Sequence, residues 1–333
     1  MVKKGETCLY HFLVNRVAGN GRGELAWNQI QPVLEARKVP YRVSFPSDVE
    51  ESLEHVHSLH PDVATLVVIG GDGTIQSVLA EVMARGLNLG VIPAGSGNDV
   101  ARGLHIPLDA VKALSYLLSG TPLDTDVIRL GDRYFMTAIG VGFDGAIAFA
   151  ANESNYKRWL NRLRLGRLTY VFALMQVLFR FQPTEITLTL DGTTLTLPDV
   201  WLVATANFPS YGGGMHICPS ARWNDGVFDV CVAHRVSRLE LLRMFPKVYS
   251  GKHVGHPAIR MFSAKHVKIE SRHELLAHGD GELAGTTPLE ITFHAAQVKF
   301  ISASPATHDS QTRAPSGEVV PRSVSGPDST ARS

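Results

Sequence analysis

The sequence predicts an α/β protein in two units: a doubly wound parallel sheet over residues 7–125, then an antiparallel, β-rich unit over 126–302. Three observations carry this. Strand-like and helix-like runs alternate through residue 120. The strands there are unbroken apolar runs, which mark a parallel sheet covered on both faces. After residue 126, short β-rich runs succeed one another with few helices between them. Residues 303–333, rich in Ser, Pro, Thr and Arg and poor in core formers, read as a disordered tail.

"CLYHFLVN" is the first strand, and "ELAWNQIQPVLEARK" follows as a helix with Leu25, Ile30, Val33 and Leu34 at helical spacing. "YRVSF" is a short strand, and "DVEESLEHVHSLH" a helix capped by Asp48. "ATLVVIG" is a third strand, "TIQSVLAEVMARG" a helix stopped by Gly86, "LGVIP" a fourth strand, and "PLDAVKALSYLLSG" a helix ended by Gly120. The β-rich part runs "VIRL", "YFMTAIGV", "EITLTL", "TTLTL", "VWLVATANF", "GVFDVCVA", "AIRMF", "HVKIE", "LEITFHA" and "QVKFISA". Asp191-Gly192 marks a hairpin within it. Two helices interrupt it, one around 157–181 and one at "SRLELLRMF", where Ser237 and Glu240 form a capping box. The last strand is free to return to the first unit.

Composition narrows the function. The chain has 333 residues, 44% hydrophobic and 19% charged, ample for a sizeable core. Its 32 Lys and Arg balance 31 Asp and Glu, so a dedicated nucleic-acid binder is not expected. Cys8, Cys218 and Cys231 show no CxxC spacing and read as reduced thiols of a cytosolic protein. The N-terminus makes a poor signal peptide, and the apolar run at 168–179 is short of the roughly 20 residues that span a bilayer. The protein is expected to be soluble or to sit at a membrane surface.

The chemistry gathers in glycine loops. "VVIGGDGTIQSV", residues 67–78, ends a strand on a bare turn with Asp72 at its tip and opens a helix at Thr74. Alone, this is either a tight turn or a phosphate cradle, since glycine permits both. Two similar loops follow other strands: "VNRVAGNGRG" at 14–23, and "VIPAGSGNDVARGL" at 91–104 with Asn98 and Asp99 as helix caps. Ligands of open parallel sheets sit at the carboxyl ends of strands, and three glycine loops on that edge point to phosphate or nucleotide. G-x-x-x-x-G-K-[ST] is absent, and no G-x-G-x-x-G opens a helix in the dinucleotide manner. From residues alone, "GDG" at 279–281 and "NDG" at 224–226 read as turns, and Ser44 as an end-of-strand serine.

Taken in order, "VNRVAGNGRG", "VVIGGDGT", "GVIPAGSGND", "AIGVGFDG", "CPSARWNDGVFDV" and "HGDGELAG" carry a family likeness. Over about residues 7 to 302 the sequence resembles the bacterial diacylglycerol kinase-like lipid kinases, related to sphingosine kinases and more distantly to NAD kinases. The resemblance implies a β-sandwich second unit, ATP and Mg²⁺ as cofactors, and phosphoryl transfer to the hydroxyl of a diacylglycerol-like lipid. It implies ATP contacts from Asn15, Ser44, Gly71, Asp72, Gly73, Thr74, Ile75, Gln76, Ser77 and Ser96. It makes Asp280 the base, Glu282 its support, and Asp72 a carboxylate of the metal network across the cleft. It also implies a structural Mg²⁺ on the Asp225 side chain and the carbonyls of Arg222 and Val227. Family members are often homodimers.

There are departures. Arg16 stands where many members have Pro, and Gln76 and Ser77 where many have Asn and Glu. A non-catalytic binder of the same fold therefore stays open, as does an NAD kinase, similar through GGDGT. Between Glu153 and Glu185 there is no acid, while Lys157, Arg158, Arg162, Arg164, Arg167 and Arg180 surround an apolar segment. This is either a core helix with a solvated basic face or a basic surface over 157–180 that docks on anionic lipid. His253 and His256 lack zinc spacing, and no G-x-S-x-G is present.

Overall fold

The computed structural model describes residues 10–153 and 174–302. β1 (Tyr10–Val14) lies between β2 (Tyr41–Ser44) and β3 (Thr65–Gly70), and β4 (Asn88–Pro93) flanks β3, all parallel. Connecting them are α1 (Ala18–Ala36), α2 (Val49–His57) and α3 (Asp72–Arg85); a short α4 (Asp99–Gly103) and α5 (Ala110–Ser119) follow β4. Right-handed crossovers dictate where the helices go. The chain steps outward from β1 to β2, then back across the sheet to β3 and β4, so α1 covers one face and α2 and α3 the other. Accordingly α1 packs with α5 and α2 with α3. Connections leaving β1 and β3 diverge, and a crevice opens between those strand ends.

Local signals set the helix ends. The Asp48 carboxylate accepts from the Glu51 N–H at 2.9 Å, and Asp109 from Lys112 at 2.9 Å. Gly86 adopts a left-handed conformation and stops α3. Within α1, Gly19, Asn20 and Gly21 are left-handed, so the regular helix begins only beyond them.

From β5 (Thr121–Leu130) the strands turn antiparallel. β5 pairs with β6 (Arg133–Phe135) and with the final strand β15 (Leu289–Ser302). β15 also runs parallel to β4 at Lys299 and Phe300, so one sheet continues through both halves. It proceeds from β15 to β12 (His266–Ser271), β8 (Thr184–Leu190), β9 (Thr193–Ala206), β7 (Ala138–Gly142), β13 (Leu276–Gly279) and β14 (Glu282–Thr286). β10 (Phe228–His234) joins β9 to β11 (Ile259–Ala264). Asp191 and Gly192 both take positive φ and turn the expected hairpin.

Four expectations are corrected. "TTLTL" and "VWLVATANF" belong to one strand, β9, which pairs with β8 along its first part and with β7 and β10 along its second. "YFMTAIGV" is two strands, because the Met136 and Thr137 N–H groups leave the ladder to bind Asp280. "LEITFHA" and "QVKFISA" are one strand, β15, whose register shifts between His294 and Val298 while it keeps the same partner. An unexpected helix, α6 (Phe143–Glu153), follows β7. The capping-box helix is α7 (Arg238–Val248), where Ser237 and Glu240 bond reciprocally. Of the segment expected to be helical around 157–181, only the part from residue 174 lies within the described residues, and 174–180 is helical. The five cations from Lys157 to Arg167, Cys8 and the tail lie outside them. Cys218 and Cys231 are buried and free, and burial pushes Cys231 up to about 12. No helix among the described residues is long and apolar enough to cross a membrane.

Candidate active site

The crevice is walled by loops in backbone contact. A Cβ on Gly71 would lie 2.7 Å from Gly95 Cα, and one on Gly19 would lie 2.2 Å from the Ala94 carbonyl oxygen. These glycines are required by loop-on-loop packing. Gly73 differs: it is exposed, and nothing lies within 4 Å of its Cβ position. It sits in the first turn of α3, whose N-cap Gly71 supplies no side-chain cap. Unpaired N–H groups therefore face the open crevice. Asn15 pins the first loop to the second by donating Nδ2–H to Thr74 Oγ1 at 3.0 Å.

Other expected ATP contacts are already partnered or set back. Ile75 is buried in the core, and the Ser77 hydroxyl donates to the Thr74 carbonyl at 2.9 Å. Ser44 is buried and shares a 3.0 Å hydrogen bond with His11 Nε2, whose pKa burial lowers to about 4. Ser96 is exposed at its loop tip, which Asn98 closes by bonding Gly95 twice, at 2.7 and 3.0 Å.

Asp280 comes from the other half of the chain. With Gly281 it forms the two-residue turn between β13 and β14, both at positive φ. Its carboxylate accepts from the Met136 N–H at 2.5 Å and the Thr137 N–H at 2.9 Å, and also from the Thr137 hydroxyl. Burial raises its pKa against those hydrogen bonds, and the charge of Asp72 adds to the rise. Asp72 and Asp280 thus lie within each other's field. Gln76 reinforces the approach: from α3 it donates to the Tyr134 carbonyl, two residues before Met136.

Asp99 is a third carboxylate of the crevice. It was expected as a helix cap; instead it reaches the other half and accepts from the Gly213 and Gly214 N–H groups at 2.9 and 3.0 Å. Burial lifts its pKa to about 6, with Asp72 again adding to the rise. Asp72 accepts from the Val100 N–H through Oδ1 at 3.0 Å. Oδ2 carries no hydrogen bond among the described residues. Two acids, Asp99 and Asp280, whose proton affinity the charge of Asp72 helps to raise, and one unused oxygen on Asp72 suit a cation shared with phosphates and water, the way Mg²⁺ is commonly held. Among the described residues no ready-made cluster of three metal ligands occurs.

Glu282 is not brought to Asp280. It is exposed and pairs with Arg133 at 3.0 Å. In the 222–227 loop, Asp225 Oδ1 accepts from the Val227 N–H at 3.4 Å, while Arg222 is exposed. Buried Asp126, missed by sequence reasoning, accepts from the Gly226 N–H at 3.1 Å.

Also missed was a cluster behind Asp280. Asp144 lies 3.3 Å from His278 Nε2 and accepts the Tyr211 hydroxyl at 2.6 Å, all three buried. Burial opposes both charges of the ion pair, but their attraction prevails: Asp144 is held low and His278 high. Visible signals existed in the "YGGGM" run and in the His278-Gly279-Asp280 adjacency. Asp144 and Tyr211 are the polar members of an otherwise apolar pocket walled by α6, residues 174–178 and α7.

Comparison with known proteins identifies the family and the fold. Residues 10–130 match the diacylglycerol kinase catalytic domain, and 137–302 the YegS C-terminal NAD kinase beta sandwich-like domain. YtlR of Bacillus subtilis is 31% identical over 299 residues, covering 85% of this chain and 96% of that protein. A diacylglycerol kinase of Mycobacterium tuberculosis is 35% identical over 233 residues, 68% of this chain and 73% of its own. A crystal structure of a diacylglycerol kinase from Bacillus anthracis superposes with a TM-score of 0.68, covering 91% of this chain and 99% of that one. At 19% identity, that likeness speaks for the fold alone.

Proposed function

Because the chain belongs to the diacylglycerol kinase-like lipid kinase family, we propose that it transfers the γ-phosphate of ATP, with Mg²⁺, to the hydroxyl of diacylglycerol or a similar lipid, giving phosphatidic acid. The observation that carries this is the pairing of Asp280, half-buried and raised in proton affinity, with Asp72 at an uncapped helix N-terminus. Phosphoryl transfer asks for such parts: donors for the phosphates and a carboxylate to orient and deprotonate the alcohol.

The N–H groups around Gly73 hold the phosphates. Asp72, through its unused Oδ2, would hold Mg²⁺, which would supply charge neutralisation to the phosphates. Asp280 takes the hydroxyl proton on Oδ2, which has one hydrogen bond to Oδ1's two, while Met136 and Thr137 hold the carboxylate in place. A structural Mg²⁺ on Asp225 with the carbonyls of Arg222 and Val227 is part of the same reading, as is peripheral membrane contact through the basic segment 157–180.

Labelled ATP is supplied with diacylglycerol micelles or with NAD. Labelled phosphatidic acid is expected, and Asp280→Asn should abolish it while ATP still binds. Labelled NADP in its place, or a wild-type rate in Asp280→Asn, would sink the reading.

A further inference from the structure

We propose that the outward face of α7 is a docking surface for an anionic lipid bilayer. It does not rest on the kinase reading.

α7 is two-sided. Leu241, Met244, Phe245 and Val248 point inward and wall the pocket. Leu239, Leu242, Arg243, Pro246 and Lys247 recur at helical spacing on the exposed side. Leu239 is 56% exposed and Leu242 37%, one turn apart, and Tyr249 just beyond the helix is 50% exposed. Clustered apolar residues of this kind mark an interaction surface, unlike scattered single ones.

Charge identifies the partner. From Arg235 to Lys252 there are five Lys and Arg against a single acid, Glu240. Glu240 is already committed to the Ser237 capping box. Arg243, Lys247 and Lys252 form no ion pair among the described residues. The neighbouring turn adds Phe179, 67% exposed, and Arg180. Arg238 clamps the two segments together, bonding the Leu178 and Phe181 carbonyls at 3.0 and 3.1 Å. A neutral apolar partner has no use for the cations, and a polyanion in water has none for the leucines. A bilayer with anionic headgroups over an acyl interior satisfies both.

The test is vesicle flotation of the full chain without ATP, on phosphatidylcholine alone or mixed equally with phosphatidylglycerol. Binding to the mixed vesicles is expected. The pair Arg243→Gln and Lys247→Gln should weaken it about 30-fold, at the usual contribution of a basic residue near an anionic surface. Leu239→Asp should weaken it about tenfold or more. Unimpaired binding in these variants, a loss only when Lys157 and Arg158 are neutralised instead, or no binding by the wild type would each overturn the proposal. Phosphoryl transfer to a water-soluble short-chain diacylglycerol, measured alongside, should be unchanged in Arg243→Gln/Lys247→Gln. Failure of that transfer in the wild type would sink the kinase reading and leave the flotation result standing.

Discussion

Gly71→Ala should damage both stability and turnover through one contact. The new methyl carbon would lie 2.7 Å from Gly95 Cα, about 0.7 Å inside the 3.4 Å at which ordinary contact begins. Gly71 has φ −107°, so alanine suits the backbone and the conflict is purely steric. Its opponent is main chain, which cannot rotate aside; the two loops must part. Overpacking of this kind costs about 1–3 kcal/mol. At roughly 2–4 °C per kcal/mol for a domain approaching this size, calorimetry should show Tm lowered by several degrees. Asp72 is the next residue, and misplacing a reacting group by about 1 Å can cost about 10²-fold in rate. Turnover should fall by that order, and Gly95→Ala should reproduce both effects. Wild-type melting and wild-type transfer in Gly71→Ala would refute the loop-contact argument.

Gly73→Ala meets nothing and should leave the fold as stable or up to about 1 kcal/mol more so. It should nevertheless weaken ATP binding in a calorimetric titration; unchanged affinity would remove the phosphates from that turn. Asp280→Asn should also lower Tm, because an amide NH₂ would face a main-chain N–H of Met136 or Thr137, an unmet donor costing about 1–3 kcal/mol. The Asp144–His278 pair has a pH window. His278 is raised when folded, so its contribution is full below the ordinary histidine value and fades as pH rises through the folded one. Asp144 is held low, so its share disappears as pH falls below the carboxylate range. His278→Gln should flatten the alkaline side of a Tm–pH profile. His11, held near 4 by burial, acts oppositely: the unfolded chain takes up the proton first as pH drops below about 6.5, so stability falls toward pH 4 by up to about 3 kcal/mol. His11→Gln should make that acid loss shallower.

Much of the first half was legible because its signals are local. Apolar runs ending in glycine specify buried parallel strands, and Asp48 and Gly86 mark helix ends by bonding within a few residues of themselves. The second half hid more. α6 follows its strand in an apolar stretch without a capping residue, and "YFMTAIGV" broke in two only because a distant carboxylate claims two of its N–H groups. Asp99 had the same appearance as an ordinary cap. Its true partners, Gly213 and Gly214, lie in a loop more than a hundred positions further on.

By itself, the amino-acid order determined the strand and helix inventory of the first half, the glycine loops and the place of Asp72 at a helix start, all set by backbone preference and periodicity over a few residues. The tertiary structure alone decided which acids share a field. Asp280 approaches Asp72 because β13 pairs with β7 and Gln76 ties α3 to β6, and the ion pair behind it forms because β13 brings His278 to Asp144. Electrostatic coupling depends on distance in space, and distance between far segments is fixed by sheet order and register rather than by any local pattern.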